Sequence, residues 1–345
     1  MTAGPATLTN TEPALRRAWH VVALGAEIGI DPVAVRLLGE QWVLVRLPDG
    51  DGATRLVAYV DRCPHRLAPL SAGRVVGDRL QCGYHGWCFD AEGACTEIPA
   101  LGGSDRIPPR ARATAPAALT ERAGLVFLAP ESPVTALLDL SVAEDDTFVH
   151  GALHTTRARV GAGLMIDNFL DQAHFPFVHA ATIGTDDAQE VPDVTIVRDG
   201  FGMSATSRQL FPNHEDRGVR QQLRPLLQTR VLHYEYRAPF AVTLHMQYVD
   251  AGVTNVIDFF VQPEDDESCR IYTLVHRDDL GDVPDRMADC VAYEQKILDE
   301  DLVIQERYPD LGLPLDITAE VHLRADRTGV EMRRILADLV ASATP

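Results

Sequence analysis

The chain is poor in positive charge, poor in cysteine and without a long apolar run, and each shortage removes a class of function. Its 31 lysines and arginines stand against 50 aspartates and glutamates, a net charge of -19. Such a surface repels phosphate backbones and anionic lipid, so neither nucleic acid nor membrane is expected as a partner. No stretch of about 18 uncharged apolar residues occurs, and residues 1–12 lack the apolar core of a signal peptide. A cytoplasmic protein is expected. Six cysteines in 345 residues are too few for a disulfide scaffold, and a reducing compartment leaves their thiols available to metal. Gly161-Ala162-Gly163 lacks the third glycine of a dinucleotide loop. With no flavin or nicotinamide fingerprint, electrons for redox chemistry would come from another protein. Internal repeats and low-complexity tracts are absent as well, and the length suits about two domains, each with its own core.

Two short loops carry the first chemistry. Cys63-Pro64-His65-Arg66 and Cys82-Gly83-Tyr84-His85-Gly86-Trp87 each offer one thiolate and one imidazole. That mixed set suits a [2Fe-2S] centre with two cysteines on one iron and two histidines on the other. Zinc also takes such ligands, but its hairpins space them by two to four residues, and only one separates Cys63 from His65. Cys88, Cys95, Cys269 and Cys290 have no ligand-like partner and read as small buried or free thiols. Short β-branched runs such as Gln41-Trp42-Val43-Leu44-Val45-Arg46 and Arg55-Leu56-Val57-Ala58-Tyr59-Val60 surround the loops. Separated by Gly, Pro and Asp, they have the pattern of a small antiparallel β domain. Residues 130–155, with Pro130, Pro133 and an acidic run, read as a linker.

The second constellation is Asp167-Asn168-Phe169-Leu170-Asp171-Gln172-Ala173-His174-Phe175-Pro176-Phe177-Val178-His179. At helical spacing Asn168, Asp171 and His174 share a face, whereas His179 would point roughly 140° away from His174 on an unbroken helix. A break at Pro176 would let both imidazoles meet one metal. Two histidines and one carboxylate make the facial triad of a non-haem iron(II) oxygenase. The carboxylate is sought on a helix over 287–308, whose apolar stripe is Val291, Ile297, Leu298, Leu302 and Ile304. Asp301 lies within that stripe, where an unpartnered charge is costly. Glu294 shares the stripe and is its rival, while Asp299 and Glu300 read as solvated. Alternating runs such as Val231-Leu232-His233-Tyr234-Glu235-Tyr236 predict half-buried strands between these landmarks. His233, His245, His276 and His322 read as packing or pocket lining, and the strands together with 180–191 are expected to line the pocket.

The paired loops resemble the Rieske signature, and the Asn-x-x-Asp-x-x-His-x-x-x-x-His pattern resembles, position by position, the iron motif of the terminal oxygenase (alpha subunit) of Rieske non-haem iron oxygenases. The resemblance spans nearly the whole chain. With Pro64, Arg66, Gly83 and Tyr84 in the loops, there is no added cysteine pair of the high-potential kind. The resemblance implies an α+β protein: a small antiparallel β Rieske domain over 1–130, leader included, and a helix-grip (StAR-related-like) catalytic domain over 131–345 with a curved antiparallel sheet and long helices. It implies a [2Fe-2S] cluster on Cys63, His65, Cys82 and His85, mononuclear Fe(II) on His174, His179 and Asp301, and O2 as co-substrate. Asn168 and Asp171 are expected to serve catalysis, Asp171 by bridging His174 to His85 across a subunit boundary in a homotrimer. Electrons would arrive from a reductase, with or without a ferredoxin. At this length the chain resembles the shorter homo-oligomeric members, so monooxygenation of a small organic, often aromatic, substrate is expected, as hydroxylation or oxidative demethylation. Dihydroxylation or oxidative ring closure by the same iron is the alternative, and a helix-grip ligand-binding protein with an electron-transfer domain is a further one.

Overall fold

The computed structural model describes residues 7–50, 52–102, 107–180, 182, 190–213, 217–281 and 284–343. It divides into two compact units, one comprising Arg16–Val134 and the other Met1–Leu15 with Thr135–Pro345. Residues 7–15 thus pack with the second unit. β1 (Thr7–Leu8) pairs with β20 (Leu313–Pro314). The Asn10 amide explains the attachment: it donates to the carbonyls of Asp265 and Ser268 and accepts from the Ala162 N–H at 2.8 Å.

The first unit is built from three small antiparallel sheets. β2 (His20–Leu24), β10 (Ala118–Arg122) and β11 (Leu125–Ala129) form one; β3 (Val33–Leu37), β4 (Glu40–Pro48) and β5 (Thr54–Val60) form another. The third runs β6 (Arg74–Val76), β7 (Arg79–Gln81), β8 (Cys88–Phe89), β9 (Cys95–Glu97). Val43, Val45, Leu47, Val57, Tyr59, Leu70, Leu80 and Phe89 bury their side chains together in its core. Alternate residues of β-branched strands fill that core, which fixes the strand ends from which both cysteine loops spring.

The second unit is an eight-stranded antiparallel sheet with helices. β12 (Val149–Ala152) and β13 (Thr156–Ala158) share one edge of β19 (Ser268–Arg277). The order continues through β18 (Val253–Asp265), β17 (Ala241–Tyr248), β16 (Leu227–Arg237), β15 (Gly202–Pro212) and β14 (Val194–Asp199). Along β16 the period of two buries Gln228, Arg230, Leu232, Tyr234 and Tyr236 and leaves the residues between them half-buried. The helices are α1 (Ala162–Leu170), α2 (Phe175–Val178), the single turn α3 (Arg217–Arg220), α4 (Pro284–Gln305) and α5 (Arg327–Ser342). Gly151 on β12 is required by the approach of α4, since a Cβ there would come within 2.7 Å of Met287 and Val291. Arg333 of α5 grips Asp167 of α1 at 2.6 and 2.9 Å and so sets the orientation of α1. Among the described residues no helix is long and apolar enough to cross a membrane.

Candidate metal centres

In the first unit the two loops are closed alike. The Cys63 N–H donates to the Ala68 carbonyl and the Leu67 N–H donates back to Cys63; the Cys82 N–H donates to Trp87 and the Gly86 N–H donates back to Cys82. The fourth residue after each cysteine, Leu67 and Gly86, has positive φ, 60° and 72°. Asp61 steadies the first loop by accepting from the Ser71 N–H at 2.7 Å and its hydroxyl at 2.6 Å. Gly83 passes so close to the Ala72 carbonyl that a Cβ would stand 2.4 Å from it. The result has two poles: both cysteines are buried and both histidines exposed. The His65 and His85 rings lie 4.5 Å apart, and His65 stacks on Trp87 at 4.6 Å.

Burial pushes the Cys63 thiol up to about 11; its own loop's N–H groups oppose this, and the adjoining Cys82 adds to it. Two buried thiols side by side with two imidazoles at the rim fit a group that takes sulfur inside and nitrogen outside. Cys88 and Cys95 lie under the second loop without joining the set: their thiols meet the carbonyls of Gly86 and Glu97 at 3.4 Å. Burial raises both. Cys269 is buried away from either constellation, and Cys290 lines the cavity of the second unit.

In that unit, α1 stops at Leu170 and Asp171 is already extended, with φ -83° and ψ 139°. The break therefore precedes His174, and Pro176 lies in the first turn of the next helix, where its missing N–H costs nothing. Asp171 is not on the helical face assigned to it from spacing. Its carboxylate instead accepts from the N–H groups of Ala173 and His174 and from His174 Nδ1 at 2.8 Å. His174 and His179 flank α2, and their Nε2 atoms lie 3.2 Å apart. Asp301 Oδ1 stands 3.4 Å from the first and 3.1 Å from the second. The three residues form a cluster of potential metal donors among the described residues. Donors about 2.1 Å from one cation and at right angles are about 3 Å apart, close to these separations. Asp301 Oδ1 is buried and receives no well-formed hydrogen bond, as suits an oxygen aimed at a cation.

The electrostatics agree with that fit. Burial would raise the Asp301 carboxyl, but His174, His179 and the Asn168 amide outweigh it and hold it down at about 2. Burial lowers His174, yet Asp171 and Asp301 bring it up to about 9. The pocket thus draws positive charge. Asn168 also accepts from Gln305 at 2.9 Å, tying α1 to α4 beside the triad.

Glu300 is the residue that the sequence misplaced. It is not solvated: its carboxylate meets His179 Nδ1 at 2.9 Å and accepts from the Thr182 hydroxyl at 2.7 Å. Each imidazole therefore has a carboxylate behind it that turns Nε2 inward. Asp299 is exposed and bonded to Gln295. Glu294 lines the cavity without joining the triad. Ile304 is 47% exposed and Gln305 is buried in its stead, so the end of the expected apolar stripe is polar where α4 meets Asn168.

The triad opens on a cavity of about 750 Å³ walled by Phe169, Leu232, Tyr234, Leu244, Ile257 and Phe259 among others. Of the expected lining from 180–191, Thr182 lies on the cavity, and 181 and 183–189 lie outside the described residues. His233, His245 and His276 occupy the strand positions between the cavity-lining ones and make other contacts, His233 with Thr206 and His276 with Asp258. His322 lies beside Glu320.

A family model described as Rieske [2Fe-2S] domain matches residues 18–109, and one described as vanillate O-demethylase oxygenase C-terminal domain matches 158–342. Methylxanthine N1-demethylase NdmA of Pseudomonas putida is 30% identical over 343 residues, covering 97% of this chain and 92% of that protein. The chain belongs to the Rieske non-haem iron oxygenases. Among solved structures, P. putida NdmB superposes with a TM-score of 0.82 at 28% identity, covering 96% of this chain and 93% of the other. Dicamba O-demethylase, oxygenase component, of Stenotrophomonas maltophilia is 34% identical over 192 residues, 54% of each chain. This Rieske oxygenase is thus the terminal oxygenase of a multicomponent system, an oxidoreductase with a [2Fe-2S] cluster, mononuclear iron and O2 as co-substrate. Its partners are an electron-donor component and a small organic substrate.

Proposed function

We propose that this oxygenase removes a methyl group from oxygen or nitrogen of a small aromatic compound, by monooxygenation of the methyl carbon. The observation that carries the reading is the convergence of His174 Nε2, His179 Nε2 and Asp301 Oδ1 within 3.1–3.4 Å on the wall of a largely aromatic and aliphatic cavity. In this reading Cys63, His65, Cys82 and His85 hold the cluster, and His174, His179 and Asp301 hold the iron. When bound, the cluster supplies electrons one at a time and the iron(II) activates O2. The protein's part is positional. Asp171 and Glu300 fix the two rings through Nδ1, Asn168 steadies Asp301, and Phe169, stacked on Phe259 at 4.3 Å, offers a flat wall against which a ring can lie.

Each turnover takes one O2, two electrons and two protons, and yields water, formaldehyde and the demethylated product. The N-demethylase and O-demethylase relatives support this outcome over dihydroxylation. A cytoplasmic homotrimer fits the family resemblance, with a division near residue 130 between the domains and electrons from a reductase, with or without a ferredoxin. Asp171 would then link His174 to His85 of the partner subunit. With both metal sites loaded, Asp171→Ala should slow product formation by about 10- to 100-fold; an unchanged, fully coupled rate would remove the bridge.

The test of the reaction is to supply reductase, NADH and a panel of O- and N-methyl aromatics while following O2 and formaldehyde together. One formaldehyde per O2 is expected for at least one compound. A cis-diol, or O2 uptake ending only in peroxide across the panel, would contradict it.

A further inference from the structure

The inner face of the sheet carries a cation that the iron chemistry does not use. Arg230 of β16 is 5% exposed and lines the cavity, with its guanidinium carbon 3.4 Å from the centroid of the Phe211 ring. Its Nε has no hydrogen-bond partner. The groups acting on its charge are the phenols of Tyr248 and Tyr234, and among the described residues no carboxylate pairs with it. Arg277, buried in the same wall, is different: Asp279 grips it at 2.9 and 3.1 Å. A buried charge left without a counter-ion is costly, and stacking on an aromatic ring offsets only part of that cost. The uncompensated guanidinium faces a cavity, so the missing anion can come from a ligand. Asn255 Oδ1 and the Tyr234 hydroxyl, both on the same wall, are likewise buried without partners.

The strand also gives the direction. Tyr234 is four positions along the strand from Arg230, about 13 Å of extended chain. Tyr234 lies at the iron end, its ring 6.4 Å from Phe169 and within the field of Asp171. Arg230 lies at the other.

We propose that Arg230 is an anion anchor, and that the substrate is a flat organic acid whose carboxylate or sulfonate seats on its guanidinium while the carbon to be oxidised lies by His174, His179 and Asp301. The second half of that statement rests on the oxygenase reading above. The first half, selection of an acid by Arg230, does not. Arg230 is thereby a specificity residue: an uncharged substrate would leave the guanidinium uncompensated, whereas an acid supplies a charge-assisted, bidentate partner.

The test is anaerobic calorimetric titration of the holoenzyme with matched compounds that differ in one group: 4-methoxybenzoate, 4-methoxybenzenesulfonate and 4-methoxybenzamide, and the longer pair 6-methoxy-2-naphthoate and its amide. In at least one series an acid should bind at least about 30-fold more tightly than its amide, and the better of carboxylate and sulfonate names the head group. Arg230→Met should erase that preference and Arg230→Lys keep part of it. Because Arg230→Met removes an uncompensated buried cation, it should raise the Tm of the ligand-free enzyme, which also shows that the variant folds. Acids that bind no better than their amides, absence of binding by either included, or a preference that survives Arg230→Met, overturn the proposal. Formaldehyde release separates the two readings. Arg230-dependent acid binding without O2-coupled product leaves the anchor standing and removes the demethylase reading; demethylation of the amides with no acid preference does the reverse.

Discussion

The four histidines assigned to metal are held in opposite ways in the two units. His65 and His85 are exposed, and among the described residues no carboxylate bonds to either; they are positioned by short closed loops and, for His65, by the flat face of Trp87. His174 and His179 sit deeper, each with a carboxylate at its Nδ1. A group that only passes electrons is served by an exposed edge on a stiff backbone. A group that must keep open positions for O2 and substrate needs its few ligands aimed by their neighbours. The difference shows where each site is vulnerable: the first through its backbone and sulfur ligands, the second through its side-chain partners.

The largest effect should come from the oxygen donor of the second site. Asp301→Ala is expected to lower iron from three to two atoms per chain and to cut product formation by at least about 1000-fold, with the cluster's EPR signal intact. Loss of that signal along with the iron would mean that the two sites are not held independently. Next comes the carboxylate behind His179. Glu300→Gln should weaken binding of the mononuclear iron about 10- to 100-fold, measured by competition with a chelator. If it retains iron as the parent does, the contrast between the two kinds of histidine fails. At the other site Trp87→Leu removes a stacked ring and no ligand, so iron content should stay at three per chain while the reduction potential moves, a change that protein-film voltammetry would register.

How much of this was legible beforehand depends on what kind of information each residue carries. That Cys63 and Cys82, His65 and His85, and His174 and His179 would come together could be read from residue types that metal chemistry favours, and the strands could be drawn because burial in a sheet demands alternation. Glu300 could not. Adjacent residues on a helix diverge by about 100°, so spacing separates it from Asp301, and only the folded positions of α2 and α4 reveal that its longer side chain reaches His179. Pro176 misled in another way: proline both breaks helices and begins them, and the role it takes depends on where α1 had already ended. Arg230 was readable in principle, since a period of two places it inward with Leu232 and Tyr234. What the pattern could not show is that, among the described residues, no carboxylate pairs with it.

A third kind of histidine supplies the smallest expected effect. His150 Nδ1 meets His276 Nδ1 at 2.8 Å, and His276 Nε2 meets Asp258 at 3.0 Å, apart from the cluster of potential metal donors found among the described residues. Burial and the neighbouring His276 lower the His150 pKa, so the neutral ring is favoured by the folded state. That contribution is fully present above about pH 6.5 and is lost as the pH falls through the lowered value. Since His150 is exposed at the strand edge, Tm should fall only slightly more steeply from pH 7 to pH 5 than in His150→Asn. An equal slope would remove the effect.

The central claim is that two separate iron centres of different ligand chemistry are built into one chain. Anomalous diffraction at the iron edge from crystals of the holoenzyme tests it most directly. Three iron positions per chain are expected, a close pair between Cys63, Cys82, His65 and His85 and a single one between His174, His179 and Asp301. Zinc in place of the pair, or a fully loaded enzyme with no iron among those last three residues, would contradict it.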